Sequence, residues 1–102
     1  MQVMQPDDAV IQAGSLRIHP ADFVAMLDGR PLSLTNREFR LLVLLASNPG
    51  RVLRRDLIAE SAWDGHAPGR TIDIHIARLR RSLPPGAIET VIRVGYRFVL
   101  GA

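Results

Sequence analysis

Residues 70–83 read Arg70-Thr71-Ile72-Asp73-Ile74-His75-Ile76-Ala77-Arg78-Leu79-Arg80-Arg81-Ser82-Leu83. At about 100° per residue on a helical wheel, Ile76, Leu79 and Leu83 fall within about 40° of Ile72. That is one narrow apolar stripe, enough to seat a helix on a core. A second arc carries Thr71, Ile74, His75, Arg78, Arg81 and Ser82. Asp73, Ala77 and Arg80 occupy the flank between them. The second arc has the composition of a helix that enters a DNA major groove. Arg78 can form a bidentate pair with guanine, and Ile74 can touch a thymine methyl. Thr71 and His75 lie near the helix N-terminus, where phosphates are favoured. A solvated basic face is the plain alternative for such a helix.

The helix is predicted over residues 71–83 and is stopped by Pro84-Pro85-Gly86. The tail beyond it reads as a hairpin. Thr90-Val91-Ile92 and Tyr96-Arg97-Phe98-Val99 are its strands, and Arg93-Val94-Gly95 its turn. Alternation puts Tyr96 and Phe98 on the core and Arg97 outside. Arg93, at the tip, is placed to meet a minor groove or a phosphate.

Upstream, Thr35-Asn36-Arg37-Glu38 is a capping box that opens a first helix through Phe39–Ala46, ended by Asn48-Pro49-Gly50. A second helix is predicted over about Arg55–Trp63, with Leu57, Ile58, Ala62 and Trp63 as its apolar stripe. A loop over residues 64–69 follows. Before the capping box, short apolar runs read as strands: Val10-Ile11, Leu16–Ile18, Phe23–Leu27 and Arg30–Leu32. Ala13-Gly14-Ser15 and Asp28-Gly29 are the turns between them, and Asp-Gly is a strong hairpin signal. Pro31 restricts its strand to an edge. The fold class is therefore α+β: a small N-terminal antiparallel sheet, three helices and a C-terminal β-hairpin wing, a winged helix-turn-helix. Residues 1–9 are read as a flexible leader and 10–102 as the domain.

Composition supports a polyanion partner. All 13 basic residues are arginine. Residues 1–50 carry 4 arginines against 5 acids, and residues 51–102 carry 9 against 5, so the net charge of +3 is concentrated in the second half. No cysteine is present, which excludes disulfides and a cysteine nucleophile. His19, His66 and His75 lack metal-ligand spacing, no serine sits in a glycine elbow, and no cofactor or metal is expected. An enzyme is not expected. Met1–Ala13 lacks the basic cluster of a secretory signal, and Leu41–Ala46 is too short to span a bilayer. A cytoplasmic protein without membrane contact is expected. No stretch carries the acidic pocket of a phosphoacceptor receiver domain.

The run Leu34-Thr35-Asn36-Arg37-Glu38-Phe39-Arg40-Leu41-Leu42 resembles the first helix of the OmpR/PhoB-type effector domain of bacterial two-component response regulators. Asn48-Pro49-Gly50-Arg51-Val52, Arg55-Asp56-Leu57 and Trp63 continue the resemblance. Residues 70–76 with Leu79-Arg80 look like its recognition helix, and Thr90-Val91 with Gly95-Tyr96-Arg97-Phe98 like its wing. It covers about residues 14–100. The resemblance implies transcriptional regulation through promoter DNA, bound as a head-to-tail pair on direct repeats. It implies phosphate contacts at Arg70, His75, Arg80 and Thr90, and base reading at Thr71, Ile74 and Arg78. Arg81 and Arg93 complete the expected DNA-binding set. It also implies a contact between the 64–69 loop and RNA polymerase, although the loop is short here. Arg54 replaces the usual small hydroxyl before the second helix, which removes an N-cap worth about 1 kcal/mol. Ala77 stands at a position that is often basic. In the wing, Ile92-Arg93 stands where the family reads Arg-Gly. A regulatory protein-interaction appendage that has lost specific DNA binding is the second reading these departures leave open.

Overall fold

Alternating apolar residues fold the N-terminal third back on itself. The computed structural model describes residues 9–67 and 69–100, so the expected leader lies almost wholly outside the described residues. Strands β1 (Ile11–Ala13), β2 (Leu16–His19), β3 (Val24–Leu27) and β4 (Arg30–Pro31) form an antiparallel sheet in sequential order. Leu16 and Ile18 are fully buried, with exposed Arg17 between them on the other face. Ile18 pairs with Ala25 and Leu16 with Leu27, which gathers the apolar side chains on one face. Asp28 and Gly29 both have positive φ, as a tight hairpin requires. Pro31 lies on the edge strand, where its missing N–H disrupts no central ladder. The expected third strand begins one residue late. Pro20–Asp22 form a single 3-10 turn, and the Phe23 N–H closes it on the Pro20 carbonyl at 3.2 Å.

The capping box forms as read. The Thr35 hydroxyl accepts from the Glu38 N–H at 3.2 Å, and the Thr35 N–H donates to Glu38 Oε1 at 3.0 Å. It launches α1 (Asn36–Ala46), whose Phe39, Leu41, Leu42 and Leu45 are buried. This helix packs on β1, α2, α3 and β7 and is the centre of the core. Helix α2 (Arg55–Ala62) buries Ile58 and Ala62, while Leu57, expected on that stripe, is exposed. Leu57 lies about 100° from Ile58, too far round so short a helix to reach α1. Arg54 provides no side-chain cap, as its side-chain type predicts.

Helix α3 (Thr71–Arg80) buries Ile72, Ile76 and Leu79. It ends three residues before the expected Leu83. Arg81, Ser82 and Leu83 donate to carbonyls three residues back, at 3.2, 3.0 and 3.3 Å, so the last turn tightens and still delivers Leu83 to the core. Pro84 disfavours helical backbone at the residue before it, which accounts for the early exit.

The C-terminal hairpin pairs β6 (Ile88–Val91) with β7 (Gly95–Phe98), so its turn is Ile92–Val94 rather than residues 93–95. A further strand, β5 (Val52–Arg54), pairs with β7 and makes a three-stranded sheet in the order β5-β7-β6. Three residues between a turn and a helix give too little alternation to read from sequence. Gly95 is required where β5 meets β7. A Cβ at this position would lie 1.9 Å from the Leu53 carbonyl oxygen. That obstacle is backbone on a central strand pair and cannot swing away. Gly95→Ala is therefore expected to destabilise the domain by roughly 3 kcal/mol, the upper end for overpacking. Chemical denaturation checks this, and a midpoint equal to the parent's would contradict the close approach.

Candidate nucleic-acid interface

With Ile72, Ile76 and Leu79 turned inward, helical geometry sends the opposite arc of α3 outward. Ile74 is 47% exposed, and Arg78 and Arg81 are exposed beside it. Thr71 and His75 are half-buried on the same arc. Arg70 is exposed at the helix N-cap, where its side chain makes no capping hydrogen bond. The expected recognition residues on the helix therefore share one accessible face. Asp73 lies in the first turn and Arg78 and Arg80 in the last, the arrangement the helix dipole favours.

The flank between the two faces braces the helix to the hairpin. Arg80 Nη2 donates to the Ile88 carbonyl and to the Thr90 hydroxyl, both at 2.8 Å. These two expected phosphate ligands thus meet each other, one on α3 and one on β6. Residues that sequence reasoning did not assign lie alongside. The Tyr96 hydroxyl donates to Asp73 Oδ1, and Arg55 Nη2 donates to the same carboxylate at 2.6 Å. The guanidinium carbons of Arg55 and Arg80 lie 5.5 and 5.7 Å from the Tyr96 ring centroid. One buried tyrosine thereby joins the start of α2, both ends of α3 and the hairpin. The available signal was Asp73 itself, an acid on the flank of an otherwise basic helix.

The other side of α3 rests on Trp63, the residue that follows α2 as its C-cap. The Trp63 and His75 rings meet edge to face at 5.1 Å. Arg37 lies 5.2 Å from the Trp63 ring centroid and donates to the Ala62 carbonyl. His75 Nδ1 is 2.8 Å from the Thr71 carbonyl oxygen, one helical turn back.

At the wing, the Val94 N–H closes a turn on the Val91 carbonyl at 2.9 Å. Arg93 is the third residue of that turn and has φ 67°, in the left-handed region that favours glycine. The glycine expected from the resemblance is absent, yet the backbone keeps the shape a glycine would suit. Behind the tip, Arg97 pairs with Glu89 across the two strands, so the tip arginine and the strand arginine have different surroundings.

The guanidinium of Arg55 holds the Asp73 carboxyl below its ordinary range, aided by the Tyr96 hydroxyl and opposed by partial burial. Burial, then the hydrogen bond to Asp73, raises the Tyr96 hydroxyl. A carboxyl lowered on folding adds stability above its unfolded value of about 3.9 and loses it as pH falls through the folded value. The pair is substantially exposed, so the contribution is on the order of 1 kcal/mol or less. Asp73→Asn is expected to melt below the parent at neutral pH, with the gap closing as pH drops below about 4. A gap independent of pH would separate the destabilisation from the carboxylate charge.

The sequence matches the family described as "Transcriptional regulatory protein, C terminal" over residues 29–98. It is 41% identical over 88 residues to the regulatory protein VanRB of Enterococcus faecalis, covering 84% of this chain and 40% of that protein. It is 41% identical over 93 residues to the transcriptional regulatory protein VxrB of Vibrio cholerae, covering 89% and 38%. The chain thus spans about two fifths of the length of these relatives. Its fold is similar to the DNA-binding domain of CpxR from E. coli, with a TM-score of 0.84, 33% identity and coverage of 92% and 99% of the two chains. It is also similar to the Klebsiella pneumoniae RstA DNA-binding domain, solved in complex with the RstA box, with a TM-score of 0.81, 32% identity and coverage of 88% and 96%. The winged helix-turn-helix architecture is common to these neighbours. No helix among the described residues is long and apolar enough to cross a membrane. The family groups transcriptional regulators rather than enzymes, and this chain belongs to it as a response-regulator effector domain of OmpR/PhoB type.

Proposed function

We propose that this chain binds double-stranded DNA sequence-specifically to regulate transcription in the cytoplasm, with α3 in the major groove and the wing at the adjacent minor groove. The observation that carries this reading is the single outward face of α3, where Ile74 and Arg78 stand exposed, with Arg81 exposed at the C-cap, on a helix braced to the hairpin. The ten residues of α3 span about 15 Å, and a B-DNA major groove about 12 Å wide admits such a helix. Arg78 reads guanine, with Ile74 and Thr71 beside it. Arg70, His75, Arg80, Arg81 and Thr90 hold phosphates, and Arg93 meets the minor groove. The complex formed by the Klebsiella relative with its box supports double-stranded DNA as the partner. A head-to-tail pair on direct repeats and a contact from the 64–69 loop to RNA polymerase extend the same proposal. In that loop Asp64 approaches Arg40 at 3.6 Å, and the Gly65 N–H closes on the Ala59 carbonyl at 2.9 Å.

Arg78→Ala is expected to leave folding intact and to remove about 1–3 kcal/mol of discrimination between the preferred site and its variants. Binding-site selection followed by titration measures this. An unchanged sequence preference would sink the recognition-helix assignment, whereas a parent that selects no sequence at all would favour the interaction-appendage reading.

The strain at Arg93 supplies a second test. A side chain in the left-handed region costs about 1–2 kcal/mol, which glycine avoids. Arg93→Gly is expected to keep or raise stability by about 1 kcal/mol while weakening binding, most on duplexes whose flanking minor groove is narrow and A·T-rich. Equal losses on A·T- and G·C-flanked duplexes would assign Arg93 to phosphate alone. No loss on either would remove the wing from the interface.

A further inference from the structure

We propose that DNA binding draws a proton onto His75, whose ring is fixed by Trp63 and the Thr71 carbonyl with Nε2 as the nitrogen offered to a phosphate. The inference rests on the DNA-binding reading above and specifies the chemistry of one of its contacts. A carbonyl oxygen only accepts hydrogen bonds, so the 2.8 Å contact to Thr71 requires the hydrogen on Nδ1. In the neutral ring, Nε2 is then a bare acceptor. Its lone pair lies in the ring plane and diverges widely from the Nδ1–H bond, so it points away from the Thr71 carbonyl. A phosphodiester oxygen is also only an acceptor. The neutral ring therefore turns a lone pair toward a phosphate and cannot bond to it. The imidazolium keeps its bond to Thr71 and donates from Nε2 as a charge-assisted hydrogen bond.

Turning the ring over would offer an Nε2 hydrogen without adding a proton, but it gives up the bond to the Thr71 carbonyl. The ring plane itself is set by the edge-to-face contact with Trp63. Trp63 is itself held by Arg37, which lies over its ring and donates to the Ala62 carbonyl. Trp63 is accordingly a positioning residue for His75. The charged groups around the ring are cationic. Arg78 follows one turn along α3, and Arg37 approaches from α1 through Trp63. Asp73, the nearest acid on α3, is engaged with Arg55 and Tyr96. Among the described residues no carboxylate pairs with His75. The phosphate is thus the anion that completes the site.

Because the proton is taken up on binding, affinity is highest at acidic pH and falls as pH rises through the window of about 5–8 where histidine changes charge. One linked proton limits the change to about tenfold in Kd per pH unit. The test titrates a mixed-sequence duplex at constant ionic strength across that window, using the parent, His75→Gln and His66→Gln. The amide of His75→Gln donates at every pH, so its profile is expected to be flat. His66→Gln is expected to retain the parent slope. Nitrogen-15 NMR of the parent is expected to show the Nδ1–H tautomer without DNA at high pH, and both nitrogens protonated at neutral pH once duplex is added. Trp63→Phe is expected to keep the slope, and Trp63→Ala to reduce it. An Nε2–H tautomer in the isolated protein overturns the proposal whether or not the Trp63 variants fold. So does a parent profile that is flat, or one that His75→Gln leaves unchanged, and either result leaves the DNA-binding reading standing. A parent that binds no duplex at any pH overturns both.

Discussion

The reading surface depends on how the hydroxyl of Tyr96 is satisfied. Its ring lies inside the core, 4% exposed, on the central strand of the second sheet, opposite Leu53 on one side and Thr90 on the other. A phenol placed so deeply needs a hydrogen-bond partner. Asp73 provides one from the first turn of α3, and the charge on Asp73 is in turn met by Arg55 from the first residue of α2. The burial of one aromatic ring thus brings the start of both helices of the helix-turn-helix to the hairpin. Arg80 closes the other end of α3 onto β6 through Ile88 and Thr90. The helix and the wing consequently present their outward residues as one braced unit.

Arginine serves two purposes in this domain. Arg37, Arg55 and Arg80 lie against aromatic rings, and Arg97 pairs with Glu89 across the hairpin. Arg70, Arg78, Arg81 and Arg93 are exposed. A guanidinium suits both settings, because its planar fork stacks on a ring while its five donors remain available to carbonyls or phosphates. Arg80 combines the two, since it stacks on Tyr96 and bonds the hairpin while sharing Thr90 with the proposed phosphate face. The positive charge of the second half therefore counts structural struts as well as contact residues.

The wing shows how a local departure is absorbed. The turn from Val91 to Val94 keeps a left-handed residue at its third position although arginine stands there. Ile92 beside it is 78% exposed, so the family's arginine position carries an apolar side chain into solvent. The backbone shape survives because pairing of β6 with β7 on both sides of a three-residue loop fixes the turn. The basic group is moved by one residue rather than lost.

Features that rest on local periodicity and short-range chemistry are legible in the order of residues alone. The Ile72-Ile76-Leu79 stripe fixed the phase of α3, and with it the outward placement of Ile74 and Arg78. Thr35 and Glu38 fixed the start of α1, because both partners of the capping box lie three residues apart. Asp28-Gly29 fixed a hairpin, because its backbone angles are set within the dipeptide. Features formed between residues distant in sequence follow from packing instead. Strand β5 is too short to show alternation and exists because β7 offers it a ladder. The need for Gly95 comes from the Leu53 carbonyl across that ladder. Leu57 lies outside the core because α1 meets only one narrow side of α2. The junction of Arg55, Asp73 and Tyr96 spans three elements, as does the seat that Arg37 and Trp63 make for His75. No spacing within one segment encodes those contacts, since each exists only where packing brings separate elements within a hydrogen bond of one another.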